Sequence, residues 1–195
     1  MKNKGPLLIC LVLLTPALHG CFPAIVAGGG AAVLMAEDRR SSGTYIDDQG
    51  IELKASKRIS EKYSDKKYED QIHVDITSFN RFVLLDGEVP DQATKDEIGA
   101  LALGVEGVRN VQNEIVIGPI TSTSTRANDA YITSKVKAHF TSENKFQPNH
   151  VKVVTEDSVV FLMGLVKHKE GDDAADIAST TGGVTRVVKV FEYID

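Results

Sequence analysis

The chain has 195 residues, 42% of them hydrophobic and 25% charged, a balance too apolar for a disordered protein. Its formal charge of -5 becomes -7 once Lys2 and Lys4 are set aside with the segment before Cys21, which holds no acidic residue. That sign disfavours nucleic acid as a partner and any generic attraction to anionic headgroups, so a membrane contact has to be local.

Lys2 and Lys4 open a short positive region, Leu7 to Leu14 is an apolar run interrupted only by Cys10, and Leu18-His19-Gly20-Cys21 closes it. The run falls short of the roughly 20 apolar residues that span a bilayer, and residues 1–20 read as an export signal. They resemble a bacterial lipoprotein signal, which implies that Cys21 is diacylated and becomes the new amino terminus. The alternative is an ordinary thiol beside a signal-peptidase site. Phe22, rather than Asp, after the cysteine implies sorting to the outer membrane. With Cys10 lost and Cys21 acylated no thiol remains to pair, and the exported protein depends on its core alone.

Pro23 to Ala36 is an apolar small-residue segment too short to cross a bilayer as a helix, and it reads as a spacer near the headgroups. Gly28-Gly29-Gly30 within it lacks the Gly-Lys-Ser/Thr continuation of a phosphate-cradling loop. A polar stretch from Glu37 to Asp47 follows. From there the chain repeats itself. Asp48, Ile51, Lys54 and Ile59 recur as Asp129, Ile132, Lys135 and Phe140 at an offset of 81. Val74, Ile76, Val83, Leu85, Gly87 and Val89 recur as Val151, Val153, Val160, Leu162, Gly164 and Val166 at 77, and Leu101, Ala102, Gly107, Val108 and Val111 as Ile177, Ala178, Gly183, Val184 and Val187 at 76.

Each unit reads helix, strand, strand, helix, strand. In the second, Asn128 suits an N-cap and Ile132, Val136 and Phe140 form a helical core stripe. Val151 and Val153 alternate with polar residues, Val159 to Val166 is a mostly buried strand, Ala174, Ile177 and Ala178 mark another helix, and Val187 to Tyr193 a last strand. The fold class is therefore α+β: two tandem modules, each α-β-β-α-β with its helices on one face of a small three-stranded sheet. The divisions are 1–20 signal peptide, 21–46 lipidated N-terminus and linker, 47–118 first module, 119–126 linker and 127–195 second module. Gly87 and Gly164 interrupt strong strands, where glycine marks a bulge or the close approach of another backbone. Modules this small are marginal alone and are expected to pack together.

The stretches Asn128 to Val136, Val160 to Val166 and Ala174 to Ser179 with Gly183-Val184 resemble the BON domain family, and within it the dual-BON outer-membrane lipoproteins of the DolP type, relatives of OsmY. The resemblance implies anchorage in the inner leaflet of the outer membrane facing the periplasm, a role in envelope integrity, and binding of anionic phospholipid, notably phosphatidylglycerol, through the second module. Some members of the family carry the label haemolysin, which leaves a membrane-damaging protein as one alternative. An interaction module for outer-membrane assembly or division-site proteins is another.

The candidate lipid site is the first helix of the second module, with Tyr131, Ile132 and Lys135. With the core stripe facing inward, Tyr131 lies about 100° around the helix from Ile132 and Lys135 one turn further on the same outer face. A ring that enters the headgroup layer beside an ammonium that meets phosphate suits an interface. The first module has Gly50 at the equivalent place. On residues alone, the favoured reading is that Tyr131 caps an interface between modules. The resemblance favours lipid, since the family's membrane-contacting aromatic, there typically Trp, falls at this position. No nucleophile motif is present, so no enzyme is expected, and no cofactor is called for. No His or Cys pair has the spacing of metal ligands. His73 and His150 are equivalent through the repeat, His139 and His168 stand apart, and Asp47-Asp48 and Asp172-Asp173 read as helix-start charges.

Overall fold

The computed structural model describes residues 38–195. Ser41 opens the first helix: its Oγ accepts from the Thr44 backbone N–H at 3.1 Å, satisfying a donor that has no partner inside the helix. Helix α1 runs Ser42–Lys62 and buries Asp48, Ile51, Ala55 and Ile59, a stripe spaced by three and four residues. Strands β1 (His73–Phe79) and β2 (Phe82–Val89) form an antiparallel hairpin. Helix α2 (Gln92–Leu103), capped by Asp91, returns the chain so that β3 (Asn110–Asn113) and β4 (Val116–Ile117) both lie parallel to β2. The second module repeats the order with α3 (Thr123–Glu143), β5 (Val151–Glu156), β6 (Val159–Val166), α4 (His168–Thr180) and β7 (Arg186–Tyr193), the last parallel to β6.

Both modules begin earlier than the pattern of apolar residues suggests. Helix α1 starts five residues ahead of the expected boundary at 47, and α3 starts inside the stretch 119–126 expected to be a linker. Asn128 sits within α3 and the cap is Ser122, whose Oγ accepts from the Thr125 N–H at 3.1 Å. A serine hydroxyl at each place satisfies the helix start, and so the Ser/Thr-rich segment initiates a helix instead of looping. The third strand of the first module is also broken where β7 is continuous. Asn113 donates to the Lys95 carbonyl at 2.9 Å and accepts from the Ile115 N–H at 3.3 Å, a local bend that turns Ile115 into the core.

The hairpins turn through two residues each, Asn80-Arg81 and Asp157-Ser158, all with positive φ, which is the type I′ geometry that matches strand twist. None is glycine, and a buried aspartate from the module's first helix holds each turn. Asp48 accepts from the N–H groups of Asn80 (2.9 Å) and Arg81 (2.7 Å), from Ser78 Oγ (2.7 Å) and from Arg40 Nη1 (2.9 Å). Asp129 accepts from the N–H groups of Asp157 (3.1 Å) and Ser158 (2.8 Å). The helix-start reading of Asp47-Asp48 is thus corrected for Asp48, whose charge is met by turn amides and an arginine. Asp172 and Asp173 lie past the first turn of α4 and pair with Lys189 and Lys169.

Each module has a core between helices and sheet, around Ile51, Val83, Leu85 and Ile98 in the first and Ile132, Phe140, Leu162 and Ile177 in the second. The central strands are buried on both faces, and the faces turned away from the helices meet, apolar throughout on β6 but carrying Asp86 and Glu88 on β2. Phe79 and Leu84 of the first module pack with Phe161 and Met163 of the second in a third core. Helix layers lie outside, and two sheets face each other within.

Candidate functional site

Cys21 lies outside the described residues. Tyr131 projects from α3 with 63% of its surface exposed. Around it on the outer face lie Ala127, Ser134 and Ala138, all exposed and small, so the ring stands above its neighbours. It takes no part in the seam between the modules, which is built from Phe79, Leu84, Phe161 and Met163; the interface reading of this residue is therefore set aside. Ile132, grouped with it as a lipid contact, is fully buried against the core of its module and cannot reach a ligand. Ile132 belongs to the inward stripe with Val136 and Phe140, about 100° around the helix from Tyr131.

Lys135 is half-buried. Its Nζ lies 4.9 Å from the centre of the Tyr131 ring and donates to the Gly182 carbonyl in the turn after α4. The ammonium therefore steadies the ring and bridges α3 to that turn, more than it stands free for a phosphate. Arg126 and Lys137 add positive charge to α3, whose only exposed carboxylate is Glu143, so this helix carries positive charge on a negatively charged protein. The equivalent helix α1 instead exposes Ile46 (67%) and Leu53 (72%), with Gly50 between them.

The strand glycines occupy equivalent contacts. A Cβ at Gly87 would collide with the backbone carbonyl of His73, and one at Gly164 with that of His150. Gly87 also has φ of +110°, a conformation that L side chains rarely adopt.

A second constellation lies at one end of the seam. His73 and Asp75 alternate along β1 toward the second module, and their cross-strand partners on β2 are Glu88 and Asp86. Glu156 of β5 comes over them from the other module, bringing carboxylate oxygen within 4.8 Å of donor atoms of His73 and Asp75. Thr121 donates from its backbone N–H to Glu88 (3.1 Å) and from its hydroxyl to Glu156 (3.2 Å). Beside this group is a cavity of about 310 Å³, lined among others by Asp86, Glu88, Thr121 and Glu156. Asp86 is 1% exposed and neither carboxylate oxygen has a hydrogen-bond partner. Burial, then the neighbouring charges of Asp75, Glu156 and Glu88, push its pKa up to about 8. Burial and the hydrogen-bonded carboxyl of Glu88 raise Glu156 to about 7. Spacing along the chain gave no hint of this group, because its members come from β1, β2 and β5. The alternation of His73 with Asp75 and of Asp86 with Glu88 is the one local signal that could have exposed it. His168 is likewise less isolated than it reads: its ring stacks on Tyr193 at 4.0 Å and bonds Asp195 at 2.7 Å.

Residues 47–119 and 128–195 each match the BON domain family. The chain belongs to the BON-domain family. It is 40% identical over 178 residues to the outer membrane lipoprotein DolP of Haemophilus influenzae, covering 91% of both chains. It is 31% identical over 157 residues to the 21 kDa hemolysin of Actinobacillus pleuropneumoniae, covering 80% of this BON chain and 79% of the relative. Osmotically-inducible protein Y of Escherichia coli is 31% identical over 148 residues, with 74% and 72% covered. Kinship across nearly the whole chain places this dual-BON protein among outer-membrane lipoproteins, as its amino terminus suggested. Among the described residues no helix is long and apolar enough to cross a membrane.

Proposed function

We propose that this protein is a non-enzymatic envelope-maintenance lipoprotein, anchored through Cys21 and facing the periplasm, whose second module docks on anionic phospholipid with Tyr131 as its contact. The observation that carries this reading is an aromatic ring, 63% exposed, standing among small residues on a helix that also carries Arg126, Lys135 and Lys137. An exposed ring suits the layer between headgroup and acyl chain, and nearby cations add local attraction to anionic lipid. Phosphatidylglycerol is the lipid that the family resemblance indicates. The test is co-sedimentation of the Met35–Asp195 unit with vesicles of phosphatidylglycerol in phosphatidylcholine, against phosphatidylcholine alone. Tyr131→Ala is expected to weaken binding several-fold and to leave thermal unfolding unchanged, and Tyr131→Trp to strengthen it. An alanine variant that binds as well as wild type moves the lipid site elsewhere.

A second reading has its own observation. Ile46 and Leu53, two turns apart on α1, give the first module an exposed apolar stripe of the kind that meets a protein partner. In that reading an outer-membrane assembly or division-site protein binds the first module while the second orients it on lipid. Cross-linking from position 53 in intact cells, compared with position 131, separates the two surfaces.

A further inference from the structure

The acidic end of the seam is unlike the rest of the molecule. At the offset of 77, His73, Asp75, Asp86 and Glu88 correspond to His150, Lys152, Met163 and Leu165, and Glu156 corresponds to Phe79. At one end, then, an apolar cluster is flanked by the ion pair Lys152–Glu52 (3.0 Å). At the other, four carboxyl groups and one imidazole share a face, and among the described residues no Lys or Arg forms an ion pair with any of the four. Arg186 lines the cavity but makes no ion pair there. Buried carboxylates without cationic partners are unfavourable, and a protein normally offsets them with protons or with a metal ion.

We propose that this cluster is a binding site for a divalent transition-metal ion such as zinc, held by His73 and Asp75 of the first module and Glu156 of the second. The donor types fit: one imidazole nitrogen and two carboxylate oxygens, with a fourth position left to water or to Asp86, form a ligand set that zinc accepts. The geometry is near closure. Ligands at about 2.0–2.2 Å from one ion lie at most about 4.4 Å apart, and the three donor atoms already lie within 4.8 Å of one another. Two observations besides the acidity point the same way. The buried Nε2 of His73 has no hydrogen-bond partner, and neither do the two oxygens of Asp86. Asp75 is exposed and gives the ion a route in. Because its ligands come from both modules, the ion locks the seam.

The test uses the full-length chain in neutral detergent, stripped of metal by chelator and titrated with Zn²⁺ alone, and separately with Mn²⁺, by calorimetry. Wild type is expected to bind one equivalent more tightly than any other and to unfold at higher temperature with the ion present. Glu156→Gln and His73→Gln are each expected to weaken that equivalent at least ten-fold and to lose the thermal shift. Neither substitution breaks an ion pair with a Lys or Arg, so both variants should fold without metal, and unfolding in metal-free buffer checks this. Wild type that binds neither ion below millimolar concentration overturns the proposal. So does either variant that keeps wild-type affinity, because the ion would then not bridge the modules.

Discussion

The two modules share a frame and differ where that frame meets something else. Both tie a type I′ turn to a buried aspartate of the first helix, both place a glycine in the central strand against the carbonyl of a histidine, and both bury the same helix stripe. They diverge on the outer face of the first helix, where Gly50 stands opposite Tyr131 in the alignment, and on the seam face of the central strand, where Asp86 and Glu88 correspond to Met163 and Leu165. Positions that close the fold are held in common, and positions that face a partner or the other module are free to specialise.

The sharpest way to break that comparison is at the shared aspartates. Asp48→Ala leaves two turn amides and the Ser78 hydroxyl without their acceptor and removes one of the two carboxylates that hold Arg40, which keeps its pair with Asp38 at 2.7 Å; it is expected to lower stability by about 2–4 kcal/mol. Asp129 has turn amides and no arginine, and its alanine variant should lose about 1–3 kcal/mol. Urea unfolding of both variants measures the gap; equal losses would show that Arg40 adds nothing to the first tie. Next in size are the strand glycines. Gly87→Val and Gly164→Val should each cost about 1–3 kcal/mol through collision with a backbone carbonyl, and Gly87→Val the more, since its positive φ adds strain. A larger loss at Gly164 would mean that the carbonyl contact outweighs the backbone conformation.

Similar in size, and opposite in sign, is the effect of making the first module resemble the second. Asp86→Met removes an unpartnered buried carboxyl and is expected to raise stability by about 1–3 kcal/mol in metal-free buffer at neutral pH, read as a higher unfolding temperature. The smallest effect concerns Glu170, which the bidentate guanidinium of Arg39 holds at about 2, well below its ordinary value of 4.5. A lowered folded-state pKa contributes stability that is complete above the unfolded value and lost as pH falls from about 4.5 to about 2. Wild type and Arg39→Ala should therefore differ at pH 6 and draw together as pH falls from about 4.5, converging only below about 2, in thermal unfolding.

The repeat made the α-β-β-α-β order and both cores legible, because each rests on apolar periodicity that survives duplication, while the packing of the modules followed from their small size. Three features escaped for physical reasons. The helix starts at Ser42 and Thr123 depend on a hydroxyl cap, which looks like linker composition until the hydrogen bond is seen. Asp48 and Asp129 were visible as an aligned pair, but Asp48 beside Asp47 read as a helix-start charge, and only the fold brings turn amides to both aspartates. The group around His73 and Glu156 draws on both modules, and no local spacing encodes such a meeting. At the candidate lipid site Tyr131 was legible as a residue off the core stripe. The attachment of Lys135 to the Gly182 carbonyl was not, since it joins residues 47 apart.

Arg39 and Arg40, adjacent in the chain, reach in different directions. Arg39 grips Glu170 and the carbonyl of Leu165 in the second module, whereas Arg40 pairs with Asp48 and covers the ring of Phe79, 3.9 Å from its centre, in the first. Any tension entering from the amino-terminal side thus divides at two successive residues. The load is shared between two sheets at their common seam, and it cannot peel α1 away from its first turn without also breaking a bidentate ion pair on the other module. For a protein moored by that end, this is a mechanical bearing: the pull that would unravel one module on its own is met by both.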